Sequence, residues 1–266
     1  MTDKTGGPIG VFDSGVGGLS ILKEIRRELP NEDLLYVADS AHVPYGEKSV
    51  EYVERRSIAI AEFLIGSGAK AVVVACNTAT AAAIHSLRGR FSLPIIGIEP
   101  AVKPAAEATR SGVVGILATS GTLASDRFSS LRSRFDSEVE VLVQPCTGLV
   151  EQVERADLES DATRKLLEKH LARLLDRGAD VIVLGCTHYP FLAPLIREIA
   201  GPAVSLIDPS AAVAREVRRR LEKEGMLSAG TRTGGERFCV SGSVAEGAPI
   251  ISRLWEGRDI EIGMLC

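Results

Sequence analysis

Cys76 and Cys186 stand at positions from which a thiol could exchange protons with a ligand. Each follows a strand-sized run of apolar, β-branched residues and precedes short polar side chains that are typical of a helix start. Parallel sheets bind small ligands at the carboxyl ends of their strands, so both thiols are predicted to face a ligand cleft. The N-terminus of a following helix would favour thiolate over thiol. These two residues are therefore candidate acid/base groups.

Either cysteine alone is equally well explained as a small buried core residue. The pair indicates more, because strand–glycine–helix openings at Ile9 and Val114 recur after about 105 residues and the cysteines after about 110. Two copies of one structural plan, related by a pseudo-twofold axis, would bring both thiols to one ligand from opposite sides. Inversion at a carbon needs this arrangement, since one group removes a proton from one face and another delivers a proton to the other. A hydrolase would instead need one nucleophile, a base and an oxyanion hole.

Short apolar runs alternate with longer amphipathic stretches along most of the chain, which is typical of parallel α/β sheets. Strands are predicted at residues 9–12, 34–38, 71–75, 95–98, 113–118, 139–143, 181–184, 204–207 and 237–240, with helices between them and a closing helix near 248–256. The predicted fold class is α/β, with two pseudo-symmetric domains that each hold a mostly parallel sheet flanked by helices. The active site is expected in the interdomain cleft. The first domain is predicted to be discontinuous, 1–99 with 209–266, and the second to span 100–208.

Asp13 ends the first predicted strand and precedes a glycine-rich turn. It is either a helix N-cap or a carboxylate at the rim that holds Cys76, where it could accept a proton or orient a substrate ammonium. The turn also has a dinucleotide-binding interpretation, since Gly15-x-Gly17 follows a strand and Asp39 follows the next one. That interpretation is disfavoured, because Ser20 replaces the expected third glycine and Asp13 would place negative charge beside a pyrophosphate.

Several further residues could assist the two thiols. His188 lies two residues after Cys186 and could help to ionise it. Glu151 and Glu154 share the short segment 148–154, and one of them is expected to reach the cleft while the other faces solvent. Tyr45-Gly46 lies in the loop after the second strand, which is a common place for substrate contacts.

The composition excludes several classes of protein. The 266 residues are 45% hydrophobic and carry a net charge of −4, so no basic face favours nucleic acid or an anionic membrane. No apolar run approaches the roughly 18 residues of a membrane span, and residues 1–8 do not form a signal peptide. Five scattered cysteines without a C-x-x-C pair predict neither a disulfide framework nor a zinc site. We therefore expect a cytoplasmic protein.

Five ordered segments, spread over nearly the whole chain, resemble those of bacterial glutamate racemases. They are Asp13-Ser14-Gly15-Val16-Gly17-Gly18-Leu19, Asp39 through Pro44-Tyr45-Gly46, Ala75-Cys76-Asn77-Thr78-Ala79, Ile98-Glu99-Pro100 and Leu184-Gly185-Cys186-Thr187-His188-Tyr189-Pro190. The resemblance implies interconversion of L- and D-glutamate without pyridoxal phosphate or a metal, supplying D-glutamate for peptidoglycan. It also implies two α/β domains, the second inserted in the first, with the active site between them.

The resemblance further implies a set of site residues. Cys76 and Cys186 would be the proton donors and acceptors, and their assistants would be Asp13, His188 and Glu154, the last preferred over Glu151. The residues implied around the substrate are Ser14, Tyr45, Gly46, Asn77, Thr78, Thr119, Thr122 and Thr187. The alternatives are a racemase for aspartate or a related amino acid and a non-catalytic amino-acid-binding protein. The expected partner is the amino acid, and a homodimer is compatible with the resemblance.

Overall fold

The computed structural model describes residues 5–135, 137–230, 232–256 and 260–265. The strands are β1 Ile9–Asp13, β2 Leu34–Ala38, β3 Ala71–Val74, β4 Ile95–Gly97, β5 Val113–Ala118, β6 Glu140–Pro145, β7 Val181–Leu184, β8 Ser205–Ile207, β9 Glu236–Val240 and β10 Ile262–Met264. The helices are α1 Leu19–Glu28, α2 Val50–Gly66, α3 Asn77–Arg90, α4 Val102–Ala108, α5 Ser120–Leu123, α6 Asp126–Arg132, α7 Leu149–Glu154, α8 Asp161–Asp176, α9 Ala193–Ala200, α10 Ser210–Glu224 and α11 Val244–Leu254. Cys76, Cys146 and Cys186 are buried free thiols, and Cys266 lies outside the described ranges.

The first sheet is parallel and has the strand order β10-β9-β2-β1-β3-β4. Its central strands β1, β2 and β3 are buried along their whole length, which explains why their sequences are continuous apolar runs rather than alternating ones. The register pairs Asp13 with Ala38 and Phe12 with Val74, so these three strands end at one edge of the sheet. The C-terminal segment returns to this sheet, because β9 pairs with β2 and α10 packs against α1.

The second sheet is also parallel and has the strand order β6-β5-β7-β8. Its central strands β5 and β7 pair in a register that aligns Leu117 with Leu184. The residues that follow these strands, Thr119 and Cys186, therefore lie at the same edge of the sheet. Each sheet thus presents the polar residues after its central strands at its carboxyl edge.

The two parallel sheets with their flanking helices confirm the α/β fold class predicted from the sequence. The observed strands differ from the predicted ones mainly at their ends. Helices α4 and α7 and strand β10 were not predicted, because segments of three to seven residues carry too little periodicity to be recognised.

The prediction that Cys186 opens a helix is wrong. A 3-10 turn at Tyr189–Leu192 follows it, and the regular helix α9 begins only at Ala193. The cause is two prolines, Pro190 and Pro194, which lack an N–H donor and fit only the first turn of a helix. Cys186 therefore depends on side chains rather than on a helix terminus for its electrostatic environment.

No helix within the described ranges combines the length and the apolar character that crossing a membrane requires.

Candidate active site

Cys76 and Cys186 line one small cavity at the carboxyl edges of the two sheets. Its volume is about 10 Å³, which is no more than a single water molecule needs. The other lining residues are Ser14, Pro44, Tyr45, Gly46, Asn77, Thr78, Thr119, Thr122, Val150, Thr187 and His188. Asp13 and Glu154 stand directly behind this lining, in hydrogen-bond contact with Thr187 and His188. The structure thus brings all the site residues expected from the sequence to one place.

The Cys76 side chain caps the N-terminus of α3. Its Sγ accepts the Ala79 N–H over 3.4 Å, and its thiol donates to Ser14 Oγ over 3.8 Å. Burial raises the pKa of the Cys76 thiol well above its usual range, and the nearby Asp13 carboxylate raises it further. The Ala79 N–H at the start of the helix acts in the opposite direction and lowers this pKa, but burial of the thiol outweighs it.

His188 links Cys186 to the half-buried carboxylate of Glu154. Its Nδ1 lies 3.6 Å from Cys186 Sγ, and its Nε2 lies 2.6 Å from Glu154 Oε1. The same Glu154 oxygen accepts the Val16 N–H at 2.7 Å, which fixes the carboxylate in place. Burial lowers the pKa of His188, but Cys186 and Glu154 outweigh burial and hold this pKa well above its usual value. A positive charge on His188 stabilises a negative charge on the Cys186 sulfur.

Asp13 is a fully buried carboxylate at the end of β1. Its Oδ2 accepts the Gly15 N–H and its Oδ1 accepts the Thr187 hydroxyl, each over 3.1 Å. Burial raises the pKa of Asp13, and this exceeds the opposing influence of the His188 charge and the Gly15 N–H. Asp13 does not cap α1, whose N-cap is Gly18. It joins the first sheet to the Thr187 loop of the second, and its raised pKa suits a group that holds a proton.

Three threonine hydroxyls close the cavity on another side. Thr78 Oγ1, from the first sheet's side, lies 2.9 Å from Thr119 Oγ1 and 3.2 Å from Thr122 Oγ1, and the latter two lie 3.0 Å apart. A hydroxyl can both donate and accept, so a ring of three can be satisfied internally or can turn its donors towards an anion. The triangle is a polar contact between the two halves of the cavity wall.

Asn77 is the one lining side chain whose polar atoms lack partners among the described residues. Its side-chain nitrogen and oxygen are both buried, and neither forms a hydrogen bond. A buried amide without partners is costly, so such a group in a cavity indicates a ligand that supplies them. An amide offers both a donor and an acceptor, which matches the carboxylate and the ammonium of an amino acid.

Tyr45 and Gly46 form a 3-10 turn, Tyr45–Glu47, that reaches across to the second sheet. The Tyr45 ring lines the cavity, while its hydroxyl points to Asp39 and donates a hydrogen bond of 2.5 Å. A Cβ at Gly46 would lie only 2.8 Å from the Cβ of Thr119, so no larger residue fits at this contact. The turn is therefore part of the seam that encloses the cavity.

Two residues that hold the site together carried no recognisable signal in the sequence. Tyr36, in the middle of β2, donates from its hydroxyl to the Gly15 carbonyl at 2.6 Å, and Val16 contributes only its backbone N–H. The sole available signal was a tyrosine inside a buried strand, whose hydroxyl must find a partner. Glu151 lies apart from the thiols and lines a neighbouring cavity with Glu47 and Thr147, so Glu154 is the carboxylate that contacts His188.

Across the described ranges, no group of three or more His, Cys, Asp and Glu side chains is arranged to hold a metal ion. The titratable groups instead lie beside the two thiols. Asp13 is near Cys76 on the first sheet, and His188 is next to Cys186 on the second. A polar cavity enclosed by the carboxyl edges of two parallel sheets, with titratable groups on both sides, defines an α/β enzyme acting on a small molecule.

Comparison with known proteins gives the family. Residues 9–217 match the model of the Asp/Glu/Hydantoin racemase family. The chain is 55% identical over 250 residues to a glutamate racemase of Methylococcus capsulatus, covering 94% of this chain and 92% of that protein. A crystal structure of a glutamate racemase from Bacillus anthracis superposes with a TM-score of 0.88 at 33% identity, covering 98% of each chain. One from Escherichia coli, in complex with L-glutamate and the activator UDP-MurNAc-Ala, superposes with a TM-score of 0.86 at 32% identity, covering 97% of each chain. The chain belongs to the Asp/Glu/Hydantoin racemase family and is a racemase.

Proposed function

We propose that this chain interconverts L- and D-glutamate by proton transfer on both faces of the α-carbon, with Cys76 acting on one face and Cys186 on the other. The observation that carries the proposal is that both thiols line one enclosed cavity, each at the strand end of a different sheet. Glutamate is the favoured substrate because the similar proteins are glutamate racemases and one of them was crystallised with L-glutamate.

The reaction needs one thiolate and one thiol at the start. The thiolate removes the α-proton from one face of the bound amino acid and becomes a thiol. The other thiol delivers its proton to the opposite face of the carbanion and becomes a thiolate, so the charge of the pair is unchanged. The product has the opposite configuration, and the reverse reaction uses the same two groups with their roles exchanged.

The surroundings of the two thiols favour an unequal distribution of that single negative charge. The charged His188, held by Glu154, stabilises a thiolate on Cys186. Burial and Asp13 keep the pKa of Cys76 high, so Cys76 retains its proton. We infer that in one direction of the reaction Cys186, beside His188, removes the α-proton and Cys76 delivers a proton to the opposite face.

Substrate binding is assigned to the polar groups between the thiols. We propose that the unpartnered Asn77 amide, together with the hydroxyls of Thr78, Thr119 and Thr187, binds the carboxylate and ammonium groups. Ser14, Thr122 and the Tyr45-Gly46 turn complete the enclosure. Asp13 beside Cys76 and Glu154 beside His188 assist the proton transfers from outside the lining.

The proposed domains are residues 1–99 with 209–266 and residues 100–208. The membership of the two sheets supports this division, since β9 and β10 join the first sheet and β5 to β8 form the second.

The proposed cellular role is supply of D-glutamate for peptidoglycan in the cytoplasm. Expression of the chain should restore growth to a bacterium that requires D-glutamate, and the Cys76→Ser variant should not restore it.

The decisive experiment measures racemisation in deuterium oxide. Wild type should convert L-glutamate to D-glutamate with no added cofactor and should place deuterium at the α-carbon of the product. Cys76→Ser and Cys186→Ser should each lower the rate by about 10²–10⁴-fold, because one face then lacks its proton carrier. Cys239→Ser, a thiol on β9 outside the cavity lining, is the matched control and should keep its activity. Normal turnover in either cavity variant would refute the mechanism, and exchange with aspartate alone would move the assignment to aspartate.

A further inference from the structure

A buried charged network lies behind the cavity, and the proton transfers do not use it. Its centre is Asp39, the residue after β2, whose side chain is fully buried. Arg56 from α2 reaches Asp39 with two hydrogen bonds, from Nη2 to Oδ1 at 2.7 Å and from Nε to Oδ2 at 3.0 Å. The Tyr45 hydroxyl donates to the same Oδ2 at 2.5 Å. The network therefore joins an outer helix to a residue of the cavity wall.

The chemistry of these groups indicates that Arg56 holds Asp39 in place and that Asp39 in turn holds Tyr45. A carboxylate buried without partners is costly, and a two-pronged guanidinium contact supplies both the charge and the geometry that it needs. The Arg56 side chain is itself 26% exposed, so it enters from the surface and makes its bond in the interior. Both carboxylate oxygens accept from Arg56, and Oδ2 also accepts the Tyr45 hydroxyl with its remaining lone pair.

Tyr45 is held in a way that removes it from acid/base chemistry. Burial raises the pKa of Tyr45 far above its usual range, and the Asp39 charge raises it further. Its hydroxyl therefore stays protonated and serves only as a hydrogen-bond donor to Asp39. This hydrogen bond fixes the position of the 3-10 turn that begins with Tyr45 and continues with Gly46.

The position of Gly46 sets the fit of the cavity seam. Gly46 packs so closely on Thr119 that a Cβ added to Gly46 would lie 2.8 Å from the Thr119 Cβ. A Cβ added to Gly121 would lie 3.1 Å from the Gly46 carbonyl oxygen. Thr119 in turn shares hydrogen bonds with Thr78 and Thr122. A shift of the turn by a few tenths of an ångström would therefore change the lining where the substrate is bound.

We propose that Arg56 is a positioning residue for the racemase, which sets substrate affinity by holding Asp39, Tyr45 and the Gly46 turn against Thr119. The proposal rests on the proposed function, because affinity for glutamate is the quantity that Arg56 controls. Arg56 touches no reacting atom, and its influence passes through two hydrogen bonds and one backbone turn. The competing role is stabilisation of the fold alone, which would leave substrate affinity unchanged.

The test separates KM from kcat. Arg56→Met should raise the KM for glutamate at least about tenfold with kcat changed less than about threefold, because a misplaced wall weakens binding before and during the reaction equally. Arg56→Lys should recover only part of the affinity, since one ammonium cannot replace the two-pronged contact. The matched control is Arg55→Met, an exposed neighbour on the same helix that lies over the Tyr52 ring, and its kinetic constants should match wild type.

A second variant keeps the inference testable if Arg56→Met does not fold. Tyr45→Phe removes only the hydroxyl that joins the turn to Asp39, and it should raise KM by a similar factor. In the double variant the two effects should not multiply, because both changes break the same linkage. An unchanged KM in Tyr45→Phe, or effects that multiply fully, would overturn the proposal. Failure of wild type to racemise glutamate would instead refute the proposed function, so the two failures are distinguishable.

Discussion

Two buried aspartates at neighbouring strand ends have pKa values displaced in opposite directions. Burial raises the pKa of Asp13, whereas at Asp39 the hydrogen bonds from Arg56 and Tyr45 outweigh burial and lower it. Ionisation of Asp13 therefore costs stability, whereas ionisation of Asp39 contributes it. Asp13→Asn should stabilise the fold at pH 7 while it lowers activity, and Asp39→Asn, which leaves the buried Arg56 contact without its charge partner, should destabilise the fold by about 3 kcal/mol.

The pH dependence of these two effects has a definite sign. The raised pKa of Asp13 gives stability that is present below about pH 4 and is lost as pH rises, so the advantage of Asp13→Asn should shrink in acid. The lowered pKa of Asp39 gives stability that is present above about pH 4 and is lost as pH falls, so the Asp39→Asn deficit should also shrink in acid. Urea unfolding of the three proteins from pH 7 down to about pH 2 measures both trends. Asp13→Asn less stable than wild type at pH 7 would contradict this account.

The short helix α5 forms one side of the cavity seam, and a glycine there permits the close contact. A Cβ at Gly121 would lie 3.1 Å from the Gly46 carbonyl oxygen and 3.2 Å from Thr78 Cγ2. Gly121→Ala should therefore widen the seam by a few tenths of an ångström. We expect kcat/KM for glutamate to fall by about threefold to tenfold, since site geometry tolerates little displacement.

The matched substitution lies on α3, the helix whose N-cap is Cys76. Gly89, near its C-terminal end, has no atom within 4 Å of an added Cβ. Gly89→Ala should leave the kinetic constants unchanged and stabilise the fold by about 0.5–1 kcal/mol, because alanine loses less backbone entropy in a helix. Equal kinetic losses in both alanine variants would show that the seam is not the cause.

The elements that the sequence predicts well are those with a strong local pattern. Runs such as Val72-Val73-Val74 can only be buried strands, and Cys76 was therefore placed correctly at the edge of a sheet. The start of α9 was misplaced, because the two prolines after Cys186 decide it through missing N–H donors rather than through periodicity. The raised pKa of the Cys76 thiol is likewise absent from the local sequence pattern, since burial depends on atoms far away in the chain.

The contacts between the two sheets are the part of the site that no local pattern contains. The triangle of Thr78, Thr119 and Thr122 requires residues from both sheets to meet, as does the bond from Thr187 to Asp13. Resemblance to a family could name these residues, but their partners follow only from the folded chain. The whole molecule, rather than either sheet, therefore creates the binding site.

At the scale of the whole molecule, the cavity is closed. Its volume of about 10 Å³ is smaller than an amino acid, so we expect its walls to move apart when a substrate enters. Substrate bound between the sheets then contacts both of them and binds only when both are folded. Its binding free energy therefore adds to the stability of the complete molecule rather than to that of one half.

The expected result is a single unfolding transition that moves to higher temperature with glutamate. At a ligand concentration of 100 times Kd, the gain is about 2.7 kcal/mol. For a chain of this size that corresponds to a rise in Tm of roughly 5 °C or more. The Cys76→Ser variant is the protein to use in calorimetry, because it cannot change the configuration of the ligand during the scan. Two transitions, of which only one responds to glutamate, would show that the ligand binds within one half and not between the sheets.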